Sequence, residues 1–300
     1  MGDPFRSGLI TFIGRPNVGK STLLNRLVGQ KVSITSRRPQ TTRHRIMGVA
    51  NRPTAQLVYV DTPGLHLGTG KMINRFMNRA ATGALQGVDC IAMVISAKGW
   101  QEADERVLEA VRRQEQPVVL VINKMDLLRR REDLLPLMEQ SKTRMTFADI
   151  VPVSATVGTN MDQLEKVLTM LLPEQPPLFP EDQLTDRSER FMAAEFVREQ
   201  IFRSLGQEVP YSVAVEIERF AREKKVLHIN ALIWVEKNGQ KAILIGKGGD
   251  RLKQVGTAAR KEMELFFDSK VNLTLWVKVR EGWSDSEKAV RSLGYADEDS

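Results

Sequence analysis

The feature that most constrains this chain is the run from Gly14 to Ser21, GRPNVGKS, which matches the phosphate-binding pattern G-x-x-x-x-G-K-[ST]. The apolar run Leu9–Ile13 precedes it, and the helical pattern Ser21–Val28 follows it. Glycines in such a loop let backbone N–H groups close around phosphate oxygens, and the start of the helix adds partial positive charge. This order of strand, loop and helix predicts a nucleotide-phosphate site.

Further apolar runs alternate with helical patterns through the first half of the chain. The runs are Gln56–Val60, Cys90–Ile95, Val118–Ile122 and Ile150–Val153, and the later helical patterns are Glu102–Arg113 and Met161–Leu171. Continuous apolar runs of this length are typical of strands that are buried on both faces of a parallel sheet. We therefore predict an α/β domain whose doubly wound, mostly parallel sheet binds its ligand at the carboxyl ends of the strands.

Polar motifs follow three of these runs: Asp61–Gly64 reads DTPG, Asn123–Asp126 reads NKMD, and Ser154–Thr156 reads SAT. The first motif offers a carboxylate for Mg²⁺, held through water, and a glycine amide for a γ-phosphate. In the second, Asp126 can accept from the N1–H and the 2-amino group of guanine. Adenine lacks both donors and would leave the carboxylate buried and unpaired. Together with the phosphate loop, these motifs predict GTP rather than ATP.

The predicted nucleotide site draws on the phosphate loop and on all three later motifs. Its residues are Gly14, Arg15, Pro16, Asn17, Val18, Gly19, Lys20, Ser21, Thr22, Asp61, Thr62, Pro63, Gly64, Asn123, Lys124, Asp126, Ser154, Ala155 and Thr156. Lys20 is expected to reach the β- and γ-phosphates, Ser21 to ligate Mg²⁺, and Asp61 to hold the ion through water.

The segments GRPNVGKS, PQTTRHR and DTPGL make the chain similar to the translation-factor-like P-loop GTPases, and within them to the Era branch of bacterial GTPases. By this resemblance, Thr42 is the switch threonine that ligates Mg²⁺ when GTP is bound, and Thr41 is the alternative. We place Lys20, Thr42 and Gly64 in the catalytic set.

Leu65 departs from the commoner GTPase pattern, in which a glutamine after DxxG orients the attacking water. Leucine cannot polarise water, so we expect slow unassisted hydrolysis and another group that positions the water. His66 is one candidate, although a lone histidine in a loop is more often a surface residue. In related potassium-responsive GTPases an asparagine at the position of Asn17 helps to bind K⁺ near the β- and γ-phosphates. The alternative is that Asn17 only shapes the loop.

The proline-rich stretch Leu172–Gln183 separates two halves with different patterns. Its prolines forbid a continuing helix and favour an extended connection. Apolar residues then recur at helical spacing from Phe191 to Leu205, followed by three runs with the period of a strand. Those runs are Val213–Glu218, Leu227–Val235 and Val271–Val279. The predicted domains are a GTPase domain over 1–172, a linker over 173–183, an α+β domain over 184–282 and a polar tail over 283–300.

Gly246–Gly249 reads GKGG, and we expect it between a strand and a helix, as the GxxG loop of a KH domain. The order of elements around it resembles the type II KH domain of bacterial ribosome-associated proteins. The stretch 237–261 carries seven basic residues and one acidic residue, which favours a directed nucleic-acid groove. Ile243, Ile245 and Leu252 are expected to line the groove or the core beneath it, with Ile243 in the core. The predicted RNA contacts are Ile245, Gly246, Lys247, Gly248, Gly249, Arg251 and Lys253.

Bulk properties add limits rather than a function. The net charge is +7, but residues 1–180 carry +8 and the remainder −1, so global charge does not mark the second half as nucleic-acid binding. One cysteine, Cys90, excludes an intramolecular disulfide and suits a reducing compartment. We find neither an apolar run near 18 residues nor an apolar core in Met1–Gly8, and therefore predict no transmembrane helix and no signal peptide.

The resemblance to the Era family extends from about Leu9 to Val279. It implies binding near the 3′ end of small-subunit (16S) ribosomal RNA and a role in assembling that subunit. It also implies a cytoplasmic monomer with some peripheral association with the inner membrane. Two alternatives are a passive RNA-binding protein with a structural nucleotide, and an Era-like GTPase that acts on tRNA or membranes.

Overall fold

The computed structural model describes residues 4–36, 38, 40–64, 72–205 and 213–293. These residues form two compact units. The described residues of the first unit lie within 1–33, 42–67 and 77–186, and those of the second lie within 34–41, 68–76 and 187–300. None of the helices in these described ranges has both the length and the apolar character needed to cross a membrane.

A six-stranded sheet forms the centre of the first unit. Its strands are β1 (Arg6–Ile13), β2 (Ile46–Arg52), β3 (Ala55–Asp61), β4 (Cys90–Ser96), β5 (Val118–Asn123) and β6 (Asp149–Pro152). Their order across the sheet is β2-β3-β1-β4-β5-β6. Strand β2 is antiparallel to β3, and the other neighbouring pairs are parallel. The carboxyl ends of the parallel strands therefore meet at one edge of the sheet, where an α/β fold binds its ligand.

Helices cover both faces of this sheet. They are α1 (Lys20–Val28), α3 (Glu102–Val111), α4 (Leu134–Lys142) and α5 (Met161–Met170), while α2 (Met72–Gly83) begins in the second unit and ends in the first. One core packs Leu24 of α1 and Leu168 of α5 with Phe12 of β1. A separate core holds Leu108 of α3 and Leu137 of α4. The predicted doubly wound, mostly parallel α/β fold is confirmed.

Strand β2 has no clear sequence signal, because it is an edge strand whose apolar residues do not alternate. Gly48 interrupts it and lies under α1, since a Cβ atom at this position would be 2.7 Å from Val28 Cγ2. The turn after β2, at Pro53 and Thr54, joins it directly to β3 as a hairpin. Pairing with β3, rather than burial of a continuous apolar run, defines this strand.

The second unit is built around a three-stranded sheet. Its elements, in chain order, are α6 (Glu189–Ser204), β7 (Ala214–Glu223), β8 (Val226–Val235), α7 (Asn238–Ile245), α8 (Asp250–Phe267), β9 (Lys270–Val279) and α9 (Glu287–Ser292). Strand β8 is central, antiparallel to β7 and parallel to β9. Phe196 of α6 and Met263 of α8 pack with Ile229 of β8 in one core. The predicted order of helix, two strands, helices and strand is confirmed.

The expectation of a strand before the GxxG loop is wrong. Helix α7 ends at Ile245, so Gly246–Gly249 lies between two helices. The Gln240 side chain accepts hydrogen bonds from the backbone N–H groups of Glu236 and Lys237, at 2.8 and 3.0 Å, and so caps the start of α7. The run from Ile243 to Ile245 resembles a buried strand in sequence, but this polar cap directs it into a helix.

The position of Ile243 also differs from the expectation, because its side chain is 45% exposed rather than in the core. Leu244 is fully buried instead, while Ile245 and Leu252 pack partly buried against the core of the second unit. On a helix, successive side chains point about 100° apart, so one residue of an apolar triplet faces solvent.

The proline-rich segment packs along the first unit. Gln56 of β3 donates to the carbonyl of Phe179 at 2.7 Å and accepts from the N–H of Leu178 at 2.7 Å. Beyond the predicted domain end at 282, Trp283 is fully buried with Ala289 and Val290 of α9, so the described part of the predicted polar tail contains a packed helix. The domain boundaries given above stay a prediction.

Candidate functional site

The phosphate loop joins β1 to α1 at the carboxyl edge of the sheet. Asn17 and Gly19 adopt positive φ angles of 64° and 105°. A Cβ atom on Gly19 would lie 2.3 Å from Asn123 Nδ2, so only glycine fits there. Asn123 Nδ2 in turn donates to the Val18 carbonyl at 2.8 Å. The loop is therefore locked against the NKMD motif.

Lys20 is the buried cation of this loop. Its Nζ donates to the carbonyls of Gly14 and Arg15, at 2.9 and 3.2 Å. Burial lowers the pKa of Lys20 to about 8, while the nearby Asp61 carboxylate opposes that shift. A phosphate bound in the loop would therefore stabilise the charged Lys20 side chain, because its negative charge offsets the cost of burying the ammonium group.

Three oxygen-bearing side chains meet beside Lys20. Ser21 Oγ donates to Asp61 Oδ2 at 2.6 Å, and Thr42 Oγ1 lies 2.9 Å from Ser21 Oγ and 3.2 Å from Asp61 Oδ2. Asp61 is fully buried, which raises the pKa of its carboxyl group, and its Oδ1 has no hydrogen-bond partner among the described residues. A cluster of hard oxygens with an orphaned carboxylate oxygen suits a divalent cation such as Mg²⁺.

Thr42 rather than Thr41 supplies a hydroxyl to this cluster. The Thr41 hydroxyl instead contacts the Ser36 hydroxyl at 2.6 Å and the Arg38 carbonyl at 2.8 Å. Ser33, which has no place in the predicted site, donates from its Oγ to Asp61 Oδ2 at 2.8 Å. No short motif contains this serine, so sequence patterns offer no signal for it.

The guanine motifs converge on the other side of the phosphate loop. Ser154 Oγ donates to Asp126 Oδ1, and the Ala155 N–H donates to Asn123 Oδ1 at 3.1 Å. Lys124, with a φ of 68°, donates from Nζ to the Asn17 carbonyl. The structure therefore brings the NKMD and SAT motifs together beside the loop, where a carboxylate and backbone amides can meet a purine base.

Arg26 of α1 is a second residue that the motifs do not predict. Its Nε donates to the Ala155 carbonyl at 3.1 Å, and its Nη2 donates to the Thr156 carbonyl at 2.7 Å. The guanidinium thereby binds two of the three carbonyls of the SAT turn. Because the peptide is planar, this orients the neighbouring N–H groups.

The remaining predicted residues surround these contacts. Thr62 Oγ1 donates to the Phe12 carbonyl at 2.9 Å, and a Cβ atom on Gly64 would lie 2.9 Å from Pro16 N, so Gly64 packs directly on the phosphate loop. Pro63 is buried, and Thr22 is half-buried at the start of α1. Leu65 and His66, the predicted glutamine replacement and its neighbour, lie outside the described residues.

In the second unit, the GxxG loop is a run of positive φ angles. Gly246, Gly248 and Gly249 have φ values of 76°, 60° and 84°, and α8 begins directly after them. A Cβ atom on Gly246 would lie 2.8 Å from Arg251 Cβ, whereas one on Gly248 would meet nothing within 4 Å. The Gly248 main chain is therefore open to an approaching ligand at a helix N-terminus.

The basic residues near this loop differ in what they contact. Arg251 Nη1 donates to the Ile243 carbonyl at 2.8 Å and so ties α8 to the end of α7. Lys247 and Lys253 are exposed. Flexible, solvated ammonium groups next to an open main chain suit a phosphate backbone.

Comparisons with known proteins match both units of the chain. Residues 9–124 match the family described as 50S ribosome-binding GTPase, and residues 208–284 match the KH domain. The chain is 54% identical to GTPase Era of Pseudomonas aeruginosa PAO1, over 97% of this chain and 96% of that protein. It is 53% identical to GTPase Era of Marinobacter nauticus over the same shares of the two chains.

Two solved structures match with a TM-score of 0.95 and 40% sequence identity. One is a single-residue variant of Aquifex aeolicus Era bound to GDP and AlF4⁻, covering 97% of this chain and all of that one. The other is Era in complex with MgGDPNP and nucleotides 1506–1542 of 16S ribosomal RNA, covering 97% of this chain and 99% of that one.

A P-loop GTPase unit followed by a KH unit defines a class of RNA-binding enzymes that hydrolyse GTP. The guanine motifs, the oxygen cluster at Asp61 and the GxxG loop all occur in this one chain. At more than half identity over nearly the whole length of its relatives, the chain belongs to the Era family of GTPases.

Proposed function

We propose that this GTPase binds small-subunit (16S) ribosomal RNA near its 3′ end through the KH unit and acts in assembly of the small subunit. The observation that carries this proposal is the open GxxG loop at the start of α8, where a Cβ atom on Gly248 would meet nothing within 4 Å. The relative with the same fold and 40% identity, solved with nucleotides 1506–1542 of 16S RNA, supports that RNA as the partner.

The nucleotide chemistry is assigned to the residues of the first unit. In this proposal Lys20 holds the β- and γ-phosphates, and Ser21, Thr42 and Asp61 hold Mg²⁺, with Asp61 acting through water. When bound, Mg²⁺ neutralises charge that develops on the phosphates. The Gly64 amide faces the γ-phosphate, while Asp126 and the SAT turn recognise guanine.

A K⁺ ion near Asn17 is part of the proposal. K⁺ there supplies positive charge that an arginine finger supplies in other GTPases. The competing role, shaping of the loop, has its own support in the φ of 64° at Asn17 and in the Lys124 contact with its carbonyl. Turnover measured in K⁺ and in Na⁺ separates the two. Stimulation by K⁺ that Asn17→Ala abolishes supports the ion, and equal turnover in both salts contradicts it.

RNA crosslinking followed by sequencing tests the partner. We expect crosslinks to concentrate at the 3′ end of 16S RNA and to disappear in Gly248→Asp. Crosslinks concentrated on tRNA would instead identify an Era-like GTPase with another target. A separate assay of GTP turnover addresses the alternative of a passive RNA-binding protein, which predicts bound nucleotide without hydrolysis.

The proposal places the protein in the cytoplasm as a monomer, with peripheral association with the inner membrane. These three points rest on the resemblance to the family. Fractionation of cells and sedimentation of the purified protein test them, and a dimer at micromolar concentration would contradict the monomer.

A further inference from the structure

Asp104 is a buried carboxylate to which no motif of the GTP site assigns a role. It lies in the first turn of α3 and has no exposed surface. It accepts hydrogen bonds from the Gln101 N–H at 3.0 Å and from Arg15 Nε at 3.1 Å. Burial raises the pKa of Asp104, and the Arg15 guanidinium opposes that shift. Arg15 is therefore the cationic partner of this buried carboxylate.

Arg15 is the second residue of the phosphate loop. Its side chain, which pairs with Asp104, is 16% exposed, and its carbonyl accepts from Lys20 Nζ at 3.2 Å. Burial is the largest cause of the lowered pKa of Lys20 and of Lys124. The Arg15 guanidinium lowers both pKa values further. One residue is thus fixed through its side chain by α3, while its main chain contacts the phosphate-binding lysine.

We propose that Asp104 and Arg15 form a positioning pair for GTP hydrolysis. Asp104 anchors the Arg15 side chain, which fixes the Gly14 and Arg15 carbonyls and with them the direction of Lys20. Neither side chain reaches a reacting atom in this role. A displacement of about 1 Å at a catalytic group can cost roughly 100-fold in rate, so an anchor outside the chemistry can control it.

The test compares Arg15→Gln, Asp104→Asn and the double variant in single-turnover GTP hydrolysis at saturating nucleotide. The matched control is Arg106→Gln, which breaks an exposed ion pair with Glu102 on the same helix, 2.8 Å long, away from the loop. We expect each single variant to lose about 10-fold or more in rate, and the double variant to lose no more than the worse single one. The control stays within twofold of the unchanged protein.

A second readout separates positioning from damage to the fold. Guanosine has no phosphate, so its affinity should stay within twofold in Arg15→Gln, and Arg15→Lys should recover part of the lost rate by restoring the cation. Hydrolysis within twofold of the unchanged protein in Arg15→Gln would overturn the proposal. So would equal losses of guanosine affinity and of rate, or single-variant losses that multiply in the double variant.

Discussion

Ser154 Oγ donates a hydrogen bond to the Asp126 carboxylate, which joins two motifs that lie 28 positions apart in the chain. The contact orients the carboxylate that we propose recognises guanine. It also shows how a weak tripeptide, SAT, gains a defined role once β5 and β6 lie side by side.

Exchange of Asp126 for asparagine should change the preferred base. An amide donates to the 2-oxo group of xanthine but cannot accept both guanine protons. We therefore expect Asp126→Asn to lose at least about 100-fold in GTP affinity and to gain affinity for xanthosine triphosphate. Competition titrations with both nucleotides check this. Unchanged GTP affinity would show that the carboxylate does not read the base.

Removal of the Arg26 guanidinium should weaken nucleotide binding without affecting the chemistry. Arg26→Ala frees the Ala155 and Thr156 carbonyls, so we expect GTP and GDP affinities to fall equally, by about three- to tenfold. The rate of hydrolysis at saturating GTP should not change. Arg106→Ala on α3 is the control for losing an exposed arginine. A selective loss of GTP over GDP would mean that Arg26 acts on the γ-phosphate side.

Nucleotide binding should take up a proton near pH 8, because the pKa of Lys20 is lowered to about 8 and a phosphate partner raises it again. We expect about half a proton to be taken up at pH 8, and affinity to fall as pH rises further. Calorimetry in buffers of different ionisation enthalpy measures this uptake. The absence of proton uptake between pH 7 and 9 would contradict a lowered pKa of Lys20 in the nucleotide-free protein.

The same shift affects the stability of the nucleotide-free protein. Unfolded Lys20 holds its proton up to its ordinary pKa of 10.5, whereas the folded protein releases it near 8. Lys20 therefore disfavours folding below pH 8, and this penalty is relieved as pH rises from 8 towards 10.5. The shift in denaturant midpoint over that window should shrink in Lys20→Met, which has no titrating group.

The GxxG loop should lose RNA when Gly248 becomes aspartate. A side chain there meets nothing within 4 Å in the protein, and aspartate tolerates a positive φ, so the fold should be kept. The added charge sits where phosphate must approach. RNA binding by Gly248→Asp at unchanged affinity would remove the loop from the interface.

We expect Lys247→Ala to weaken RNA binding mildly and to lower its salt dependence by roughly one counterion.

Sequence patterns predict most of the fold and the motif residues for a physical reason. Strands buried on both faces, such as β4, leave continuous apolar runs, and residues that need positive φ or close approach leave glycines, as at Gly19. Both signals are local. The exposed position of Ile243 and the helix before the GxxG loop depend instead on a cap, made by Gln240, that looks unremarkable in sequence.

The contacts that support the site escape sequence analysis because the residues that make them are distant in the chain. Arg26 meets Ala155 across 129 positions, Ser33 meets Asp61 across 28, and Arg15 meets Asp104 across 89. Arginine, serine and aspartate are common on surfaces, and no spacing rule relates such pairs. Only the folded sheet shows which of them meet.

The chain passes from the second unit into the first between Thr41 and Thr42. Thr41 groups with the second unit, where Arg198 of α6 donates to its carbonyl. The next residue, Thr42, belongs to the first unit and contacts Asp61 at 3.2 Å. We propose that γ-phosphate and Mg²⁺, when bound at Thr42, act on its chain neighbour Thr41 in the second unit and so couple the two sites. By linkage, RNA then changes GTP affinity by the same factor that GTP changes RNA affinity.

The most direct test of a GTP-controlled RNA switch is the affinity of labelled 16S 3′-end RNA, measured with GDP and with a non-hydrolysable GTP analogue. The account predicts a difference of roughly 5- to 150-fold, corresponding to a coupling of about 1–3 kcal/mol. Equal RNA affinities in the two nucleotide states, within twofold, would contradict it and leave two independent modules on one chain.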